Sequence, residues 1–261
     1  MLPESVLSAV KGTVVVSGGT DSTFPDQWDR RYRRTTPREV TDLVSSIEEA
    51  ECVRWYAENL TSYSSIFSPI PGGVLPSPWR DSVNFVWTRP RREKQDKIAV
   101  CANRERSGAQ YAGQFVERSR VAALSRGPWA EFVHVPEPSL PLPKYRHLLR
   151  KHVFTLCVEG GGIDPSPKAF EALRQGSIPV IKDSPTADAY RHFPTVVVPT
   201  WDESEISEEF LRAEHERIRA EWPDWFDVVE RMKLSYWVGL MAEARDTREF
   251  ARPPGMRGVT D

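Results

Sequence analysis

The chain has 261 residues, 39% hydrophobic and 28% charged, with Lys+Arg 35 against Asp+Glu 37 for a net charge of −2. That is the make-up of one large or two small globular domains, not of a disordered or fibrous chain, and it leaves no global basic field to hold a nucleic-acid backbone. No apolar run approaches the roughly 20 residues of a membrane span, and the opening MLPESVLSAVKG lacks a charged segment ahead of an apolar one, so a cytoplasmic location is expected.

In chain order, residues 13–17 (TVVVS) read as a buried strand running into a loop with Gly18, Gly19 and Asp21. Residues 37–50 predict a helix, with Pro37 in the first turn and Val40, Leu43, Val44 and Ile47 on one face. A short strand follows at 52–55, and the proline-rich stretch 69–79 (PIPGGVLPSPW) reads as a loop. The charged run 88–96 (TRPRREKQD) is the best candidate for a domain boundary. Beyond it come a strand at 97–102, a helix at 107–124, a strand at 131–135, a helix at 142–151 and a strand at 153–158 (VFTLCV). A glycine loop leads into a helix at 167–175, then a strand at 177–181, a short helix at 187–192 and a strand at 195–198. Two helices at 205–221 and 224–244 close the chain; Trp225, Val229, Met232, Tyr236 and Leu240 make one apolar stripe that predicts packing against a sheet. Alternating helices and nearly all-apolar strands imply a parallel sheet covered on both faces, with ligands beyond the carboxyl ends of its strands.

Several features carry little chemistry on their own. Cys52, Cys101 and Cys157 are too few and too scattered for a disulfide framework or a zinc site, and Cys101 and Cys157 read as small buried strand residues. The five histidines pair with no evident nucleophile, and His215, in a charged helix, is expected to be solvated. Trp55, Trp79 and Trp87 are core residues or sugar-stacking faces, with packing the simpler reading. The basic run from Arg30 to Arg34 around Tyr32 reads as a solvated loop, or as a face for acidic glycans.

One segment is more informative: FTLCVEGGGIDPSPKAFEALRQGSIPVIKDSP, residues 154–185. Gly160, Gly161 and Gly162 allow close backbone approach to a ligand. Ser166 is a candidate helix N-cap ahead of Pro167, and the free N–H groups there would favour an anion. Lys168 adds a positive charge in the same turn, Glu171 follows on roughly the same face, and Gly176 ends the helix. A P-loop is excluded because Lys168 follows Pro167 rather than a glycine, and the dinucleotide fingerprint fits poorly so late in the chain.

The same residues resemble the donor-binding half of the exostosin-like glycosyltransferases. The likeness lies in Gly160–Gly162, Asp164, Lys168, Glu171-Ala172-Leu173 and Gly176-Ser177-Ile178-Pro179-Val180, and continues through Lys182-Asp183-Ser184-Pro185, Tyr190 and Trp201. Fainter echoes are Arg54 to Asn59 (RWYAEN), Ile70 to Gly73 (IPGG), residues 15–25 and Ala102 to Arg106. The resemblance implies the GT-B fold: two Rossmann-like α/β/α domains with a cleft between them, closed by C-terminal helices. Its halves would be a minimal acceptor-side domain at 1–92 and a donor domain at 93–225, with 226–261 packing back across the cleft. It implies a nucleotide-sugar donor, a UDP-sugar in the first instance, transferred to a glycan or glycoside, with inversion favoured over retention.

Under that resemblance the donor groups are Arg104, Arg106, Glu159, Gly160, Gly161, Gly162, Asp164, Ser166, Lys168 and Glu171, the last for the ribose hydroxyls, and Asp21 is the candidate general base. Each has a plain alternative: a solvated arginine, a helix cap, an exposed glutamate, an Asx turn. Positive side chains aimed at a leaving diphosphate need no metal, and no Asp-x-Asp occurs in the chain, so neither metal nor cofactor is expected. A nucleotide- or sugar-binding module without turnover is the main alternative, and a dinucleotide-dependent oxidoreductase a weaker one.

Overall fold

The protein, seen in a computed structural model, is described for residues 3–19, 21–28, 32–62, 64–73, 97–104, 115–165 and 167–247. Two parallel sheets organise the described residues. The first has the order β1-β2-β3, with β1 at Val14–Ser17, β2 at Arg54–Ala57 and β3 at Phe67–Pro69. The second has the order β5-β4-β6-β7-β8: β4 is Ala99–Val100, β5 Val133–His134, β6 Phe154–Leu156, β7 Ile178–Lys182 and β8 Val196–Val198. The helices are α1 (Glu4–Val10), α2 (Pro37–Glu49), α3 (Val116–Arg126), α4 (Leu142–Lys151), α5 (Lys168–Arg174), α6 (Glu208–Glu221), α7 (Trp225–Arg231) and α8 (Leu234–Thr247). Two 3-10 segments, Pro185–His192 and Glu203–Glu205, flank β8.

The strands of the larger sheet sort their side chains with a period of two. Phe154, Leu156, Ile178, Val180, Val196 and Val198 enter one core, shared with Val121 of α3 and Leu211 and Ile218 of α6. Cys157, Ile181 and Val197 point the other way, into a second core with Phe170 and Leu173 of α5, Val228 of α7 and Trp237 of α8. The sheet is therefore covered on both faces, as its apolar strands predict. The smaller sheet buries Val15, Trp55 and Phe67 against α1 and α2, with Ile47 fully buried beneath.

Local chemistry explains α2. Thr36 accepts a hydrogen bond from the Glu39 N–H while the Glu39 carboxylate accepts one from the Thr36 N–H, a reciprocal cap, and Pro37 fixes the first turn. Gly176, at φ +76°, stops α5 as expected, and its N–H donates to Leu173.

Strand order determines where a ligand can sit. From β4 the chain passes through α3 to β5 on one side; from β6, the other neighbour of β4, it passes through α5 to β7 on the opposite side. The carboxyl ends of β4 and β6 thus flank a crevice from which the chain departs in opposite directions, the topological switch point of an open α/β sheet.

Some expectations need correction. Helix α1 and strand β3 were not foreseen; β3 lies at the edge of the stretch that reads as loop, because Pro69 is tolerated at the end of an edge strand. The final predicted helix is two, α7 and α8, broken at Met232 and Lys233, although the apolar stripe continues across the break. The segment at 187–192 is a longer 3-10 turn. His215 is only partly exposed: it follows Leu211 by one turn of α6 and packs edge-on against Phe154 at 6.2 Å. The expected boundary at 88–96, Trp79 and Trp87 lie outside the described residues, as does the first half of the helix expected at 107–124. Among the described residues no helix is long and apolar enough to cross a membrane.

Candidate functional site

The carboxyl end of β6 collects buried charge. Two cations reach it, one from each face of the sheet. From α5, the Lys168 ammonium donates to the Val158 carbonyl at 2.5 Å. From α3, the Arg118 guanidinium donates to the next carbonyl, Glu159, at 2.9 Å, and lies over the Phe115 ring, 4.8 Å from its centre. Burial lowers the Lys168 ammonium to about 7, and the Arg118 charge beside it adds to the drop. The Glu159 carboxylate offsets this only in part, because it pairs with Lys182 and accepts the Trp201 indole N–H at 3.0 Å. Burial also pushes the Cys157 thiol up to about 12, so Cys157 is an inert core residue.

The glycines serve close packing. A Cβ on Gly160 would collide with the Arg118 guanidinium, and one on Gly162 with the Asn59 amide. Asn59 reaches across from the end of β2, and its Oδ1 accepts the Ile163 and Asp164 N–H groups, both at 2.8 Å. Asp164 is buried, and its oxygens accept the Gly72 N–H at 2.9 Å and the Tyr190 hydroxyl. Thr186 donates to the Leu60 carbonyl at 3.1 Å. Asp164 therefore acts first as a joint between the two sheets.

Glu171 sits on α5 with its carboxylate against Arg146 of α4, at 3.3 Å, and Arg174, at 3.6 Å. Helix α5 spans seven residues from Lys168, so side-chain charge outweighs its small dipole. At the end of β4, Asn103 donates to the Leu156 carbonyl at 3.1 Å while its own amide oxygen is buried without a hydrogen-bond partner. Arg104 is exposed next to it. Arg106 and Ser166 lie outside the described residues.

On the smaller sheet, Asp21 is exposed in the loop after β1. Glu58, half-buried after β2, accepts the Gly19 N–H at 2.7 Å. Burial raises the Glu58 carboxyl above its usual range, the Gly19 bond pulls it back, and the Asp164 charge adds to the rise. Trp55 stacks on Phe24 at 5.3 Å and donates to the Ser17 hydroxyl, so it is a core residue rather than a sugar platform.

Beyond β5 opens a pocket of about 590 Å³, lined by Pro136, Leu140, Pro143 and Leu148 with His134, His147, Glu137 and Lys144 at its polar points. Burial, with the Lys97 charge, lowers His134 below its usual value and favours the neutral imidazole. Among the described residues no group of three or more His, Cys, Asp or Glu could hold a metal ion.

Of the residues expected from sequence, Glu159, Gly160–Gly162, Asp164 and Lys168 gather at the end of β6, with Glu171 one turn along α5. Arg118, Asn59 and Glu58 were missed as site residues. One arginine among 35 cations carries no sequence signal, and Glu58 and Asn59 were visible only as part of the RWYAEN echo. No protein-family model matches the chain, and no curated protein matches it.

Proposed function

We propose that this chain is a glycosyltransferase that moves a sugar from a nucleotide-sugar donor, in the first instance a UDP-sugar, to a glycan or glycoside acceptor with inversion. In this reading the two sheets are the halves of a GT-B fold, and donor and acceptor meet between them. The carrying observation is the convergence of Arg118 and Lys168, from opposite faces of the sheet, on the strand end at the switch point. Two adjacent cations at one strand end suit a ligand with two negative charges on neighbouring phosphates. Cleavage of the sugar–phosphate bond builds charge on the departing diphosphate, and cations already fixed there stabilise that charge more than the ground state. Lys168, poised near 7, becomes fully protonated beside the dianion.

The remaining parts follow along the same edge. Strands β5 and β6 are two inter-strand spacings apart, about 10 Å, which suits a nucleoside extending from the diphosphate to a base in the His134–Leu148 pocket. Glu171, fixed by Arg146 and Arg174, is the group for the ribose hydroxyls. Arg104, exposed after β4, adds a positive charge to this edge. The Gly160–Gly162 loop lets Arg118 and Asn59 pack close beside the strand end, and Asp21 is on the acceptor side.

The small first sheet favours a second reading, a binding module without turnover. Calorimetric titration with UDP, followed by UDP release from a panel of UDP-sugars offered simple glycosides, separates the two. Tight UDP binding weakened at least 30-fold in Arg118→Ala supports the donor site, and turnover then decides for the transferase. Unchanged affinity in that variant refutes the diphosphate assignment.

A further inference from the structure

We infer that Glu58 is the general base of the transfer, taking the proton from the acceptor hydroxyl; the inference rests on the glycosyl-transfer reading above. Glu58 is the first residue beyond β2, the central strand of the smaller sheet, at the carboxyl end where parallel strands present ligands. Its position is fixed at both ends. Its own N–H donates to the Ser17 carbonyl at 3.0 Å, and its Oε2 accepts the Gly19 N–H at 2.7 Å. A Cβ on Gly18 would meet the Glu58 carboxyl group, so the glycine lets the loop after β1 lie directly against it.

The next residue sets the approach to the donor side. Asn59 has φ +52°, a left-handed turn that asparagine tolerates, and its amide clamps the backbone of Ile163 and Asp164 just past the glycine loop. Glu58 is therefore held beside the segment that follows β6, on the acceptor-side sheet. It keeps partial solvent contact, so a hydroxyl can reach it. The charged group that acts on it from the facing segment is Asp164. Burial first, and the Asp164 charge after it, raise the Glu58 carboxyl above its usual range against the pull of the Gly19 bond, which strengthens it as a base. Asp21 lies out on the same β1 loop and is exposed, whereas Glu58 is half-buried at the strand end.

The step balances. As the acceptor oxygen bonds to the anomeric carbon, its proton passes to a Glu58 oxygen. The carbon–oxygen bond to the diphosphate breaks, and its electron pair leaves with the nucleoside diphosphate against Arg118 and Lys168.

The test measures UDP affinity by calorimetry, and UDP release from UDP-sugars with simple glycosides as acceptors, for wild type, Glu58→Gln, Glu58→Asp and Asp21→Asn. The inference expects Glu58→Gln to lower kcat at least 100-fold, with UDP affinity within twofold and the melting temperature unchanged. Glu58→Asp should recover part of the rate, and the acidic limb of the wild-type pH profile should disappear in the glutamine variant. Near-normal turnover in Glu58→Gln overturns the inference, as does loss confined to Asp21→Asn. Wild-type UDP binding without any turnover also overturns it, leaving the donor site intact. Absence of UDP binding by wild type is distinct, because it removes the glycosyl-transfer reading and the base with it.

Discussion

The five-stranded sheet is packed on both faces, between α3 and α6 on one side and α5, α7 and α8 on the other. The three-stranded sheet packs α1 and α2 on one face and leaves Val16 of β1 55% exposed on the other. The two regions hold their charged groups differently. The larger sheet keeps Lys168 and Glu171 deep, against oriented carbonyls and arginines. The smaller one contributes Glu58 and Asn59 at a strand end, fixed by backbone contacts. A buried ammonium is costly to stability, and only a sheet with two full cores has the surplus to hold one ready for a ligand. Under the proposed function the larger sheet grips the charged donor, and the smaller presents a hydroxyl and a base.

The largest effect that would break this division is at Lys168. Lys168→Met should weaken UDP binding about 100-fold by calorimetry while raising the melting temperature by about 2–5 °C at pH 6, since a buried charge is replaced by an apolar chain of similar length. A variant that loses stability and keeps affinity would make Lys168 structural.

Asp164 tests the joint between the regions. Asp164→Ala leaves the Gly72 N–H and the Tyr190 hydroxyl without their acceptor and should cost about 2–4 kcal/mol, read as a melting-temperature drop of roughly 5–15 °C. Hydrogen exchange should then rise in the smaller sheet first. Equal loosening of both sheets would show that they unfold as one.

A smaller effect is expected at the pocket beyond β5. Leu148→Trp, filling the space between α4 and the loop after β5, should lower UDP affinity about tenfold and leave inorganic pyrophosphate binding unchanged. Equal loss for both ligands would detach the pocket from the base.

The mildest prediction concerns acid. His192, hydrogen-bonded to the Tyr236 hydroxyl at 2.7 Å, is lowered to about 4 by burial first and by the Arg231 charge second. Its folded value lies below the unfolded one, so the unfolded chain takes up the proton first. Its contribution is intact above about 6.5 and is lost progressively as pH falls toward 4. His152, also lowered by burial, acts in the same direction. Scanning calorimetry should show a falling melting temperature from pH 7 to 4.5, with a shallower slope in His192→Gln.

Much of the larger sheet is legible in the sequence, because its strands are short apolar runs between helices and glycine stops. The residues at the end of β6 were legible for the same reason: Gly160–Gly162, Lys168 and Gly176 punctuate one strand–turn–helix unit. What escapes is partnership. Nothing in the order of residues says that Asp164 bonds Gly72 and Tyr190, that Glu171 meets Arg146, or that Arg118 crosses the opposite face to join Lys168. Those pairings depend on strand order, and β5-β4-β6 arises from a crossover that local periodicity does not encode. β3 escaped because a three-residue strand beside a run of prolines leaves no period to read.

The central claim is that a nucleoside diphosphate sits against Arg118 and Lys168. Calorimetric titration of UDP at pH 8, in two buffers of different ionisation enthalpy, tests it most directly. Binding with uptake of close to one proton in wild type, and none in Lys168→Met, is the outcome the account predicts. No binding at millimolar UDP, or proton uptake that survives in Lys168→Met, would contradict it.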